Sequence, residues 1–390
     1  MRKMALFLTA FILFGSSVFP QTKSQLNQAA SSKEEQKLVV YLKSHWKSPE
    51  NYVISKFRDH DIVFIGESHR IKHDVELIHK LIPRLYKAHV YNLGIEFGCY
   101  EHQDKVDRLI TAETYDESLA RWLIFQQDAG WGYKEYEDIY RAAWQMNRSV
   151  PKRARKFRVI NLGYRANWPA LKEEMTQADW DKVWWQGDPD ERMADVVIKE
   201  FVNKGEKALI YSGNHHAFTR YHQPSYDFEN KKLLHFNTTR MGNLVYNKIG
   251  DRAFNIYLHG PWESNTNLDV FTRPMHGVID EVMQKFGNKP VGFDVKGSPF
   301  GPITDNQSYY SLGYANYTLD KYCDGYIFQG RLEDSEGVTV DPLFITDANF
   351  QEAIAYLPNP VFKRRVKTPA DIIAGIRRSA DMKRRFGNLK

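Results

Sequence analysis

The sequence predicts an α/β fold: a mostly parallel central sheet flanked by helices, with an inserted helical cap region. Three observations lead there. Short apolar runs of strand length recur between residues 61 and 329. Amphipathic stretches with helical spacing separate them, the alternation that builds βαβ units. A composition of 42 % hydrophobic and 14 % aromatic residues over 390 positions supplies enough core for such a sheet.

Taken in order, residues 1–21 read as a secretory signal. Arg2 and Lys3 form a short basic start, and residues 5–14 form an apolar run too short to span a bilayer comfortably. The expectation is an exported protein, periplasmic or extracellular. It has no cysteine near the expected cleavage point to carry a lipid anchor. Residues 22–35 are polar and predict a disordered leader. Residues 36–350 then read as one α/β domain. Its first strand is residues 61–66 (DIVFIG), followed by a helix over 73–86 whose Val75, Ile78, Leu81, Ile82 and Leu85 share a face. Residues 93–97 (LGIEF), 157–163 (FRVINLG) and 208–212 (ALIYS) are the next strands, the last preceded by a helix over 191–202. Residues 253–258, 291–295 and 325–329 complete the set. The helical insertion lies at about 100–150 and carries Trp122, Phe125, Trp131, Tyr133, Tyr136, Tyr140 and Trp144, read mainly as core packing.

Residues 351–390 read as a basic C-terminal helical segment. Residues 363–390 hold ten Lys/Arg against two Asp, more than the +6 of the whole chain. Outside this segment and the signal, the body is slightly acidic, and no nucleic-acid recognition motif appears; nucleic acid is therefore not an expected partner. Ile372, Ile373, Ile376 and Ala380 give the segment an apolar stripe. It reads as a solvated terminal helix, with weak contact to an acidic envelope surface as the alternative.

Chemistry concentrates at three strand ends, where an open α/β sheet holds its ligands. Gly66-Glu67-Ser68-His69-Arg70 follows the first strand, Glu96 lies within or at the end of the second, and Gly213-Asn214-His215-His216 follows the fourth. A carboxylate beside an imidazole fixes its tautomer and raises its basicity, as a water-activating base requires. Gly66 is read as letting the backbone bend between them. Arg70 is a candidate for oxyanion support. The same four residues, Glu67, His69, Glu96 and His216, would also suit a divalent metal. His222, His235, His259 and His276 are scattered and read as structural or surface residues. Two cysteines, Cys99 and Cys323, read as buried thiols and exclude a disulfide scaffold. No Gly-x-Ser-x-Gly elbow, phosphate-binding P-loop or dinucleotide fingerprint occurs.

These residues resemble the erythromycin esterase-like family and the related ChaN-like and Tiki superfamily. The resemblance rests on IVFIGESHR with HDVELIHKLIPRL, LGIEFG, and WGYKEYEDIYRAAWQMNR with FRVINLG. ERMADVVIKEFVNKGEKALIYSGNHHAF followed by RMGNLVYNKIGDRAFNIYL completes it, so that residues 60–260 are covered. It implies a metal-independent hydrolase in which a histidine activates water against an ester or related acyl bond of a small molecule. Glu67 and Glu96 would be its two acidic residues, His216 its late histidine and Arg192 a supporting residue. The Gly-Glu-x-His spacing here follows the ChaN-like pattern rather than the esterases' Gly-Glu-x-x-His. His69, His73 and His216 therefore all stand as candidate bases, with Asn214 and His215 in support. No cofactor is predicted. The kinship also implies two alternatives, a haem- or tetrapyrrole-binding protein and a metal-dependent peptidase.

Overall fold

The apolar runs assemble into one seven-stranded sheet. The structure, a computed structural model, describes residues 23–389 and the side chains from Lys33 onward. The expected signal, 1–21, lies outside the described residues. The strands are β1 (Ile62–Glu67), β2 (Asn92–Cys99), β3 (Arg158–Gly163), β4 (Ala208–Gly213), β5 (Gln223–Asp227), β6 (Lys232–Asn237), β7 (Ala253–Leu258), β8 (Trp262–Glu263), β9 (Phe271–Thr272), β10 (Val291–Asp294) and β11 (Gly325–Phe328). The main sheet runs β10-β11-β7-β1-β4-β2-β3 and is parallel except for the edge strand β10. Its seven strands are those read from the sequence. The small hairpins β5–β6 and β8–β9 are not, because they are short and carry little apolar alternation.

Every residue of β1, β4 and β7 is buried, as parallel strands covered on both faces require. On one face Val63, Ile65, Leu93 and Ile95 share a core with Val75, Ile78, Leu81 and Leu85 of helix Lys72–Lys87. On the other, Phe64, Ile160 and Ile210 share one with Met193 and Val197 of helix Pro189–Glu200 and with Val245 of helix Met241–Ile249. Each such fully buried side chain contributes about 1.5–3 kcal/mol. A third cluster, rich in aromatics such as Trp262, Tyr310, Tyr322 and Tyr326, lies toward β10 and β11. The helical insertion consists of Gln103–Thr111, Glu117–Gln127 and Lys134–Arg148. Its Phe125, Trp131, Tyr133, Tyr136 and Tyr140 are core residues, with Trp122 partly buried against them. Cys99 and Cys323 are buried free thiols.

Both ends of the chain depart from expectation. The leader expected to be disordered over 22–35 is helical from Lys23, within helix Lys23–His45. Leu38, Val39 and Leu42 bury the later turns, and the Gln-, Ala-, Lys- and Glu-rich residues before them favour continuing the helix. The basic segment is not a solvated appendage either. Helices Pro369–Ser379 and Met382–Phe386 fold back, with Ile372, Ile376 and Ala380 in the main core and Met382 and Phe386 against Ile71. The apolar stripe faces inward, and Tyr133 donates to the Ile376 carbonyl at 3.1 Å.

The sheet order places the ends of β1, β4 and β2 side by side. The chain skips one place between β1 and β2, and β4 later fills it, which opens a crevice at the strand ends. Gly66 matters here, though not by bending. It sits in regular strand pairing, and a Cβ on it would lie 2.7 Å from Asn214 Cα and 3.2 Å from Ala217 Cβ. Its bare backbone lets the turn after β4 close onto β1, which brings His215 and His216 toward Glu67.

Candidate active site

Glu67 ends β1 with its side chain fully enclosed. Its Oε1 accepts from the Tyr136 hydroxyl at 2.5 Å and faces His69 Nδ1 at 2.7 Å, and its Oε2 accepts from the Tyr211 hydroxyl. Burial, followed by the Glu67 charge, holds both tyrosines well above their usual range, so they remain donors. The bond from Glu67 assigns the imidazole proton to Nδ1 and leaves Nε2 as the acceptor nitrogen. The His69 ring sits edge-on to Trp131 and Phe97, with centroids 5.1 and 5.8 Å away. Immediately after it Arg70 adopts φ +75°, which turns the chain into helix Lys72–Lys87, and its amide donates to the Tyr136 hydroxyl at 2.9 Å.

A second carboxylate–imidazole pair faces the first. Glu96 Oε2 accepts from the Gly213 amide at 2.7 Å, and its Oε1 lies 3.4 Å from His216 Nε2. His216 Nδ1 bonds Asp190 Oδ1 at 2.6 Å; the same oxygen accepts from the Met241 amide, and Oδ2 from Arg240 at 2.9 Å. Gly213 is the meeting point. A Cβ there would touch His69 Nε2 at 2.7 Å and Glu96 Oε2 at 3.5 Å, so those atoms are within about 6 Å of each other. His215 turns the other way, to the Tyr310 hydroxyl at 2.9 Å, which in turn donates to Glu263 at 2.6 Å. Asn214 donates to the Tyr322 hydroxyl at 3.1 Å.

The electrostatics separate the histidines. Burial pushes His216 down, but Glu96 and Asp190 outweigh it and raise it to about 10, so it is an imidazolium at neutral pH. Burial pushes Glu96 up, but His216, with His69 and the Gly213 amide, brings it down to about 2. Asp190 is likewise held below the usual carboxylate range: burial is outweighed by His216 and Arg240. His215 falls to about 3 through burial and the neighbouring Arg240, and is therefore neutral.

Stability follows from these shifts. The depressed Glu96 contributes fully above its ordinary 4.5 and loses its contribution as pH falls toward 2. The raised His216 contributes fully below its ordinary 6.5 and loses its contribution as pH rises toward 10. The pair therefore stabilises most between pH 4.5 and 6.5. Melting temperature across this range is the measurement. Wild type is expected to lose stability above pH 6.5, and His216→Gln to lose less over the same interval.

Two cavities meet at this cluster. One of about 160 Å³ is lined by Glu67, His69, His215, His216, Glu263 and Arg385, among others. The other, about 430 Å³, is lined by Glu96, His216, Tyr164, Trp168, Trp184 and Arg240, among others. The four principal candidates are thus brought together, with His216 shared between the two spaces.

Three supporting candidates lie elsewhere. Arg70 turns away: its Nε donates to the Tyr133 hydroxyl at 3.0 Å, its guanidinium lies over Trp131 at 4.1 Å, and it lines a separate cavity. Its left-handed backbone aims it there. His73 lies 3.4 Å from Asp74 in helix Lys72–Lys87, and burial lowers it to about 4. Arg192 lies beside Asp195 and Gln186 and lines a small space with Tyr100 and Tyr164. His259, read as structural, is buried with Nδ1 2.7 Å from the Tyr326 hydroxyl. Sequence reading missed Asp190, Tyr136, Tyr211 and Arg240. Asp188-Pro189, a side-chain cap followed by proline in the first turn, was a readable signal that the helix begins early enough to include Asp190. The tyrosines read only as core.

The four residues do not gather as metal ligands. Glu67 is saturated by Tyr136, Tyr211 and His69, and both His216 nitrogens face carboxylates. Among the described residues, no group of three or more His, Cys, Asp or Glu side chains could hold a metal ion.

Residues 53–180 match the family model described as haem-binding uptake, Tiki superfamily, ChaN. No curated protein sequence matches the chain. Similar solved structures include a succinoglycan biosynthesis protein, 9 % identical, covering 78 % of this chain and 97 % of its own, with a TM-score of 0.49. An erythromycin esterase, EreC, in its open conformation is 11 % identical, covering 75 % and 94 %, with a TM-score of 0.48. The ChaN of Campylobacter jejuni, described with cofacial haem binding, is 14 % identical, covering 53 % and 84 %, with a TM-score of 0.33.

Proposed function

We propose that this chain is a hydrolase that cleaves an ester or related acyl bond of a small molecule with water activated by His69. The observation that carries the reading is the convergence of two carboxylate–imidazole pairs over Gly213, on adjoining cavities that share His216. His69 is the better base, because His216 is already protonated and its Nδ1 is bonded to Asp190. Glu67 is a positioning residue, held in turn by Tyr136 and Tyr211.

In the reaction, His69 Nε2 takes a proton from water as the water oxygen bonds the acyl carbon. The carbonyl π electrons move onto oxygen, and His216 Nε2–H, an ion-pair distance of 3.4 Å from Glu96 rather than hydrogen-bonded to it, is the charged donor on the same cavity that stabilises that negative charge. The carbonyl re-forms, the acyl C–O bond breaks, and His69 returns its proton to the leaving alkoxide. Glu96 and Asp190 keep His216 charged.

The haem alternative fits less well. Among the described residues the one imidazole lining the larger cavity is His216, whose nitrogens face carboxylates, and its cation Arg240 is already held on Asp190 rather than free for a haem propionate. Export through residues 1–21 is part of the proposal, supported by Arg2, Lys3 and the apolar run after them. Among the described residues, no helix is long and apolar enough to cross a membrane.

The test is a panel of aryl esters and lactones offered to the purified protein with and without exhaustive chelation. Hydrolysis that survives chelation is expected. A panel left untouched, or activity lost to the chelator and restored by a divalent ion, contradicts the reading.

A further inference from the structure

One wall of the His69 cavity comes from the far end of the chain. Arg385 lies in helix Met382–Phe386, whose start is capped by Asp381 through the Arg384 amide at 3.1 Å. Phe386 fixes that helix edge-on against Phe271 at 5.1 Å, and Met382 packs beside Ile71. Arg385 is held in turn: its Nη1 donates to the His69 carbonyl at 2.5 Å, and its guanidinium lies 4.8 Å from the Phe386 ring. That leaves donors on Nε and Nη2. Among the described residues no carboxylate forms an ion pair with Arg385, whereas Arg240, the cation of the larger cavity, is held on Asp190.

The acids on this cavity are already engaged. Glu67 has both oxygens occupied, and Glu263 accepts from Tyr310. Burial, with Arg70 nearby, lowers Arg385 to about 10, and it remains charged at neutral pH. Lys383 and Arg384 on the same helix are exposed, so this end of the chain carries further positive charge beside Arg385 in sequence. A half-buried guanidinium with free donors, beside the imidazole that would activate water, is built to meet an anion.

We propose that Arg385 recognises an anionic group of the substrate, so that the preferred substrates are esters whose acyl part carries a free carboxylate. The smaller cavity suits a short acyl chain ending on Arg385, and the larger one suits the alcohol part. This inference rests on the hydrolytic reading of the cavity, and its test separates the two.

The experiment compares 4-nitrophenyl hemisuccinate with 4-nitrophenyl butyrate, two esters of equal acyl length, in wild type, Arg385→Lys and Arg385→Gln. Wild type is expected to prefer the hemisuccinate in kcat/KM by about ten- to hundredfold. Arg385→Gln brings that ratio close to one, and Arg385→Lys retains part of it. The ratio separates recognition from any general loss caused by moving His69. Calorimetric titration with succinate reads the same contact without turnover: wild type binds it, and Arg385→Gln binds about tenfold or more weakly. If neither ester is cleaved but succinate binding depends on Arg385, anion recognition stands and the hydrolytic reading falls. An unchanged ratio in Arg385→Gln, a wild-type preference for butyrate, or succinate binding absent from wild type or indifferent to Arg385 overturns the proposal.

Discussion

His69→Ala lowers kcat/KM for a cleaved aryl ester by about 10²- to 10⁴-fold, the contribution of a positioned general base. The loss falls mainly on kcat, because the imidazole acts on water rather than on the ground-state substrate. Folding is expected to survive. The His69 side chain is 31 % exposed, and Glu67 keeps the Tyr136 and Tyr211 hydroxyls as donors when the imidazole is gone. No buried carboxylate is left without partners, so the stability change stays small. Steady-state kinetics alongside a melting curve distinguishes this outcome from simple unfolding. A rate that falls only in proportion to the folded fraction would assign His69 a structural role.

The largest loss of stability is expected at a residue the sequence did not single out. Asp190→Ala removes the acceptor for His216 Nδ1, the Met241 amide and Arg240 Nη1. The carboxylate is 7 % exposed, so the charges it leaves behind are poorly solvated. Breaking a buried pair of this kind costs about 3–5 kcal/mol. His216 also loses one of the two carboxylates that hold it at about 10 and titrates lower. Urea unfolding measures the first effect and an NMR titration of the His216 ring the second. Asp190→Asn, which keeps an oxygen for the Met241 amide, should recover part of the stability. A variant with wild-type stability and an unmoved His216 titration would remove Asp190 from the account.

The parts of this protein that were legible in the sequence are those governed by local pattern. Each strand of the main sheet is an apolar run long enough to bury; Glu67 stands out at the end of one, His216 just past another, and Glu96 as a charge inside β2, where the register shifts between Ile95 and Cys99. What stayed hidden depends on contacts between distant segments. Tyr136 and Tyr211 have the spacing of ordinary core residues, and only folding turns their hydroxyls onto Glu67. Arg70 was expected at the reacting centre because it follows His69, but its φ of +75° sends it onto Trp131. The guanidinium beside His69 is Arg385, 316 positions away, in a segment whose charge read as solvated. Gly66 was assigned flexibility where the fold required closeness. The basic tail was recognised as helical and amphipathic, but nothing local said which surface its apolar stripe would find.

If the His69 imidazole activates water without a metal, added imidazole should restore activity to a variant that lacks it. Hydrolysis of an aryl ester would be followed with chelated His69→Ala as imidazole is titrated in, against chelated wild type and an enzyme-free imidazole blank. The variant is expected to be strongly impaired, with a rate that climbs with imidazole and saturates well above the blank. Equal rates for wild type and variant, or a variant rate that never exceeds the blank, would contradict water activation by His69.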